Sequence, residues 1–339
     1  MDRRSFISLA GMSPVLALLP PSSKAEGGQA PLQSSGSGTQ VVLRGEYGYE
    51  QQSVRDLQAG ATVDARNATF TVANSRNSDP SAIMGCDAGA LPVNRYPLVI
   101  RNCPDVHFVG GRFNGEVPLT SDWQDTYCNS AALLVRDGST NATIEGVRAR
   151  RCWDGIRFAE RADGFLLKGC WLSEIRDDAV ENDHLLSGTI DDCLFDGCFS
   201  GISLDPASNE RDGTQEIVRI DGTLIRMHAY LAKGDITHQA PVKASDMSPS
   251  LRIVGSIFAL ASANMRGFRR LERTWKKTIE SRDNLLLWLP DEPIPSALPL
   301  PPSGFRVLTG SDARAHWDKA HLQWITAHQD VARFSDEVL

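Results

Sequence analysis

Arg151-Cys152-Trp153-Asp154-Gly155-Ile156-Arg157-Phe158, then Ile175-Arg176-Asp177-Asp178-Ala179-Val180-Glu181-Asn182-Asp183-His184, then Cys198-Phe199-Ser200-Gly201-Ile202-Ser203-Leu204-Asp205, are three versions of one phrase. The apolar residue after each polar start falls at Ile156, Val180 and Ile202, spaced by 24 and then 22 residues. A second register runs beside it, because Leu167-x-Gly169-x-Trp171 and Ile190-x-Asp192-x-Leu194 stand 23 apart. Two short strands per copy therefore repeat together. A period in the low twenties, with β-branched segments and no helical periodicity, is that of a solenoid whose coils stack on one another.

Stacking turns spacing into chemistry. Neighbouring coils lie about 4.8 Å apart, so residues at matching positions form columns down one face. The outward positions give one column of Asp154, Asp178 and Ser200 and another of Arg157, Glu181, Ser203 and Lys243, with Asp177 beside Asp178. Carboxylates, a hydroxyl, an arginine and a lysine thus gather on one surface.

The apolar-x-Gly-x-apolar phrase recurs at Gly111, Gly146, Gly169, Asp192, Gly222 and Gly255, at intervals of 35, 23, 23, 30 and 33 residues. Gly or Asp there supplies the positive φ of a coil corner. Intervals above 23 mark inserted loops, the largest around Pro118 to Ser130, Ala207 to Gln215 and Met227 to Gln239. Insertions in solenoids crowd one side, which is where binding happens.

The 339 residues can form one elongated domain rather than two globules. A hydrophobic content of 41% suits a β protein in water, and a net charge of −7 argues against a nucleic-acid partner, which needs a basic face. At the N-terminus, Arg3-Arg4-Ser5-Phe6-Ile7 precedes an apolar run ending at Leu19 and the small-x-small pattern Ser23-Lys24-Ala25. That is a signal peptide of the twin-arginine type over 1–25, too short for a membrane span, and it places the mature chain in the periplasm or outside a bacterial cell. Residues 26–40, rich in Gly, Ser and Gln, read as a flexible leader. Val41 to Gly60 is expected to cap the first coil, with regular coils from near Pro97 and the parallel β-helix filling 41–310.

Seven cysteines, Cys86, Cys103, Cys128, Cys152, Cys170, Cys193 and Cys198, leave at least one unpaired, and Cys170 and Cys193 hold the same place in consecutive coils. They read as small buried hydrophobes, and no Cys-x-x-Cys pair points to zinc. Asn264 to Lys277 carries six basic residues against Glu272 and reads as a solvated face or a basic arm gripping an anionic polymer. Leu285 to Leu289 reads as a strand, and Pro290 to Pro302, with six prolines, as an extended strap. Ser311 to Phe334 is a helix, capped by Ser311 or Asp312, with Trp317, Ala320, Trp324, Ile325, His328 and Val331 on its apolar face. The fold class is all-β, a parallel β-helix with a C-terminal α-helix over 311–339.

The three coils resemble the active face of the polygalacturonase-type glycoside hydrolases, right-handed parallel β-helices that cut galacturonan-like chains. That family carries Asn-Thr-Asp-Gly, Asp-Asp, Gly-His-Gly and Arg-Ile-Lys phrases on successive coils. Here Cys152-Trp153-Asp154-Gly155, Asp177-Asp178-Ala179-Val180, Phe199-Ser200-Gly201-Ile202 and Pro241-Val242-Lys243 correspond to them. The three aspartates and the lysine are in register, whereas Ser200 replaces the histidine, Pro241 the arginine, and the Asn-Thr pair is lost. The likeness covers Arg151 to Lys243.

The resemblance implies Asp178 as general acid, Asp154 and Asp177 as holders of the attacking water, and inversion at the sugar. It implies substrate binding by Arg157, Glu181, Ser200 and Lys243, with Lys243 and Arg157 meeting the carboxylate of an acidic polysaccharide. His238 is the candidate to stand in for the missing histidine. Close carboxylates favour this chemistry, since crowding raises one pKa and keeps that group protonated. No cofactor is required. Two alternatives stand beside it: a polysaccharide lyase using Lys243 or an arginine as base, with calcium on Asp177, Asp178, Glu181 and Asp183, and a non-catalytic glycan-binding or structural β-helix in which the aspartates only cap turns.

Overall fold

The computed structural model describes residues 32–35, 38–72, 96–127, 130–206 and 212–332. The signal-peptide segment, Cys86 and Cys128 lie outside these residues, as do 207–211 of one insertion.

Every coil contributes short strands to stacked, parallel sheets, so the backbone hydrogen bonds run from coil to coil. One sheet has seven strands: Gln52–Arg55, Leu98–Arg101, Ala131–Arg136, Asp154–Phe158, Asp178–Glu181, Ser200–Leu204 and Val242–Ala244. Apart from a two-stranded hairpin, the other described strands curl round from it as a continuous 18-stranded sheet. Strands of the larger sheet such as Thr62–Val72, Phe165–Lys168 and Ser250–Val254 alternate buried and less buried residues, whereas Ala131–Arg136 and Ser200–Leu204 of the seven-stranded sheet are buried along nearly their whole length. The result is a parallel β-solenoid with a helix at its C-terminal end.

The pairing follows the columns read from the sequence. Ile156 pairs with Val180 and Val180 with Ile202, while Arg157 pairs with Glu181, Glu181 with Ser203 and Ser203 with Lys243. Asp178 pairs with Ser200. The corner positions have the left-handed backbone expected of them, with φ of 98° at Gly111, 66° at Gly146, 57° at Gly169, 49° at Asp192, 54° at Gly222 and 61° at Gly255. Asp283, at φ 58°, continues the series one coil further.

Inside the coil the core is a set of ladders. Tyr47, Phe70 and Phe113 stack with ring centroids 5.0 and 4.7 Å apart. Cys103, Cys152, Cys170, Cys193 and Cys198 are buried free thiols, which is the hydrophobe reading of the cysteines. One ladder of buried polar groups caps coil upon coil: Thr223 accepts from Cys193 N–H, Ser256 from Thr223 N–H, and Asn284 from Ser256 N–H.

The two ends differ from the sequence reading. Val41 to Gly60 is a coil rather than a cap: Gly38–Glu46 pairs in parallel with Thr62–Val72, and Gln52–Arg55 with Leu98–Arg101. Val41 and Leu43 face the core, and that two-residue period is hard to see among the surrounding Gly, Tyr and Gln. The coils therefore begin at Gly38 and not near Pro97. Part of the supposed leader is also ordered, since Leu32–Ser35 pairs antiparallel with Gly38–Glu46.

Four helices complete the described chain: α1 (Trp123–Thr126), α2 (Phe268–Lys277), α3 (Gly310–Ala327) and α4 (Gln329–Ala332). The basic run forms α2, with Leu271, Thr274 and Trp275 turned inward. Its Thr274 hydroxyl donates to the Val242 carbonyl at 2.8 Å, so α2 covers the last strand of the seven-stranded sheet. An otherwise open edge is thereby closed. Its cations are largely spent on neighbours, with Arg270 on Asp205, Arg273 on Asp246 and Lys276 on Glu272. At the far end α3 is preceded by Thr309 with no side-chain cap, not by Ser311 or Asp312. It lays Trp317 and Trp324 over Trp171, Leu194 and Leu287 on the solenoid flank.

Candidate functional site

Two consecutive inward positions, small and then branched, separate the two outward columns. Gly155, Ala179 and Gly201 are the small ones, and a Cβ on Gly155 would lie 2.3 Å from the Ala179 carbonyl oxygen. On Gly201 it would lie 2.1 Å from the Pro241 oxygen. Glycine is therefore needed for coil to meet coil, and the residue before it is turned outward on each coil.

Backbone bonds then fix the acids. Asp154 N–H donates to Ser130 O, Asp177 N–H to Trp153 O at 2.9 Å, and Ser200 N–H to Asp177 O at 2.8 Å. The outcome is that one carboxylate oxygen from each of Asp154, Asp177 and Asp178 lies within 4.8 Å of the others. Asp154 and Asp178 are buried, and Asp177 keeps an open edge. Asp154 Oδ1 also accepts the Asp178 N–H at 3.1 Å, the turn-capping role a ladder aspartate fills.

Removing carboxylates from water in each other's company makes charge costly. Burial first, and then the charges of Glu181, Asp177 and Asp178, push Asp154 well above its ordinary range. Burial and the Asp178 charge raise Asp177 to about 8, against the pull of Lys243. Glu181 rises to about 7, again chiefly by burial, with Arg157 opposing. Lys243 Nζ donates to Asp178 Oδ2 at 2.8 Å, and the Asp178 and Asp177 charges outweigh burial to hold its pKa above the ordinary lysine value. Asp177, raised to about 8 and with an open edge, is the acid to which environment and access together assign a transferable proton near neutrality.

The remaining predicted residues divide. Arg157 stands in its column but is engaged: Nη2 is 2.8 Å from Asp183 Oδ2, Nε is 3.5 Å from Glu181 Oε2, and Nη1 donates to the Tyr96 hydroxyl. Ser200 is buried in register with Asp178, and its hydroxyl has no hydrogen-bond partner among the described residues. His184 Nε2 sits 3.9 Å from Asp183 Oδ1. His238 is fully buried. Its Nδ1–H donates to Gln239 O at 2.7 Å and Nε2 accepts from Ser262 N–H at 3.2 Å, and burial lowers its pKa to about 4. Neither ring nitrogen is left for a ligand, so His238 does not replace the histidine missing from the column.

An aromatic wall completes the site, and it was not foreseen. Trp123, Tyr127 and Trp153 form a triangle with ring centroids 5.0, 5.3 and 5.5 Å apart. The Trp123 N–H is close enough to Asp177 to favour its carboxylate, though without the geometry of a good hydrogen bond. Asp177, Asp154 and Glu181 in turn help burial raise the Tyr127 pKa. Trp123 and Tyr127 come from the first insertion, and the third insertion, a hairpin of Tyr230–Ala232 and Asp235–Thr237, braces it. Asp122 accepts from Lys233 N–H and Gly234 N–H at the hairpin tip as well as from Gln124 N–H in α1. The available signal was the aromatic content of a stretch already recognisable as an insertion.

Comparison with protein-family models, with curated proteins and with solved structures finds no match for this chain.

Proposed function

We propose that this solenoid cleaves glycosidic bonds in a polysaccharide by carboxyl acid/base catalysis, in the manner of the right-handed β-helix hydrolases of polygalacturonase type, and that it works in the periplasm or outside the cell. The observation that carries this reading is the meeting of Asp154, Asp177 and Asp178 within 4.8 Å, with Asp177 pushed up to about 8. A proton held near neutrality is what a leaving sugar oxygen needs. Asp177 gives that proton, which moves the acid role one residue from where the resemblance implies it. Asp178, which gives one oxygen to Lys243 and has the other without a partner among the described residues, holds the water and takes its proton. Trp123 and Tyr127 offer ring faces to the sugar beside them.

The oxygens lie closer than the roughly 6.5–9.5 Å that lodges a water in line between acid and base. Inversion here requires the water beside the pair rather than between it.

One observation favours a lyase as second reading: three carboxylate oxygens so placed can converge on a single calcium ion. Incubating the mature protein with a panel of acidic, neutral and amino polysaccharides separates the readings. New reducing ends without unsaturated product support hydrolysis, and unsaturated product absorbing in the near ultraviolet supports the lyase. No turnover of any polymer leaves only binding or a structural role.

A further inference from the structure

Charge at the site points away from an acidic substrate. Five carboxyl groups, Asp154, Asp177, Asp178, Glu181 and Asp183, face two cations, Arg157 and Lys243, and the crowding shows in the raised pKa values of Asp154, Asp177 and Glu181. Both cations are already committed, each at 2.8 Å from a buried carboxylate. A uronate entering here would have to break one of those pairs, leaving Asp183 or Asp178 as an uncompensated buried charge. Arg270, the nearest cation on α2, is likewise held by Asp205.

What the site does offer is acceptors. Asp178, with its side chain 4% exposed, has Oδ1 without a hydrogen-bond partner among the described residues, and so does Asp183 at its own Oδ1. The buried Ser200 hydroxyl, stacked on Asp178, is likewise without one. Unused acceptors at this depth call for a ligand that donates hydrogen bonds. Trp123 and Tyr127 stand beside the acids, their rings 5.0 Å apart, and a ring face attracts a cation, as Lys233 Nζ at 6.0 Å from the Trp123 ring already shows.

We propose that the sugar bound over Asp154, Asp177 and Asp178 carries a protonated amine, so that the substrate is an amino-sugar polymer rather than a uronate polymer. This rests on the glycan-cleaving reading of the same site. The ammonium donates to the Ser200 oxygen beside the aromatic wall, leaves Asp178 Oδ1 to the water, and brings a positive charge in place of the protons that crowding otherwise keeps on the carboxyl groups. A neutral N-acetylated sugar keeps the stacking and loses the charge, and a uronate reverses it.

The test is titration calorimetry of the full-length Asp177→Asn variant with three tetramers: glucosamine, N-acetylglucosamine and galacturonate. At about pH 6, where such an amine is protonated, the glucosamine tetramer is expected to bind at least about tenfold more tightly than either other. The advantage should fade as pH rises through the amine's own titration. A galacturonate or N-acetylated tetramer that binds as tightly overturns the proposal. Turnover by the unmodified protein on the three corresponding polymers is scored separately. Cleavage of galacturonan alone defeats the amine inference and keeps the hydrolase reading. Cleavage of none defeats the hydrolase reading, and the binding order still decides for or against the amine.

Discussion

Asp177 is where burial, neighbours and access act on a single group. Its carboxyl has an ordinary pKa of 3.8 and is raised to about 8 in the fold. Between those values the folded chain holds a proton the unfolded chain has lost, so this group's contribution to stability is full below the lower value and is lost as pH rises through the upper one. Asp177→Asn removes that dependence, and its melting temperature should gain on the unmodified protein between about pH 4 and pH 8. On the proposed function the same variant lowers turnover by about two to four orders of magnitude. Lys243→Met has the opposite effect on folding, because it strands Asp178 as a buried charge. Denaturant unfolding should register a loss of about 3–5 kcal/mol, and a loss below 1 kcal/mol would mean that water already solvates Asp178. At this scale the sequence was a good guide to which acids meet, since column membership follows from counting. It was a poor guide to what each does. The Lys243–Asp178 pair, the engagement of Arg157 and the burial of His238 depend on side-chain direction, which period alone does not encode.

Between residues and the whole lie the coils, and their tolerance is set by the small inward column. Gly155→Ala would press a methyl group to 2.3 Å from the Ala179 oxygen. The coil must part, and equilibrium unfolding is expected to show a loss of about 1–3 kcal/mol. Unchanged stability would show that the coils have slack at this point. Legibility among the elements follows the same physics. Corner glycines and Asp192 could be recognised because a positive φ restricts residue choice, whereas α2 was hidden because its five basic residues outweigh the small inward set of Leu271, Thr274 and Trp275. The aromatic wall belongs to insertions outside the repeat, so no register places it against the acids.

For the molecule as a whole the two C-terminal helices act as a clamp along the flank. Trp324 is buried against Trp171 and donates its indole N–H to Asp192 O, while His321 and His328 approach Asp196 and Asp192 at 3.1 Å each. Burial would raise Asp196, yet its bonds to His321 and Arg226 hold it below the ordinary value. Trp324→Ala should cost about 3–5 kcal/mol, read as an early unfolding transition. If that transition is unchanged, the helix does not anchor the flank. The stacking itself has a kinetic side. Each strand of the seven-stranded sheet is bonded only to the strands above and below, so opening has to start from an end and travel inwards. Asp154 to Leu204 lies between other coils on both sides. Amide protons of Ile156, Val180 and Ile202 should therefore trade for deuterium more slowly than those of Gln52–Arg55, leaving the acids on the most slowly breathing part of the chain.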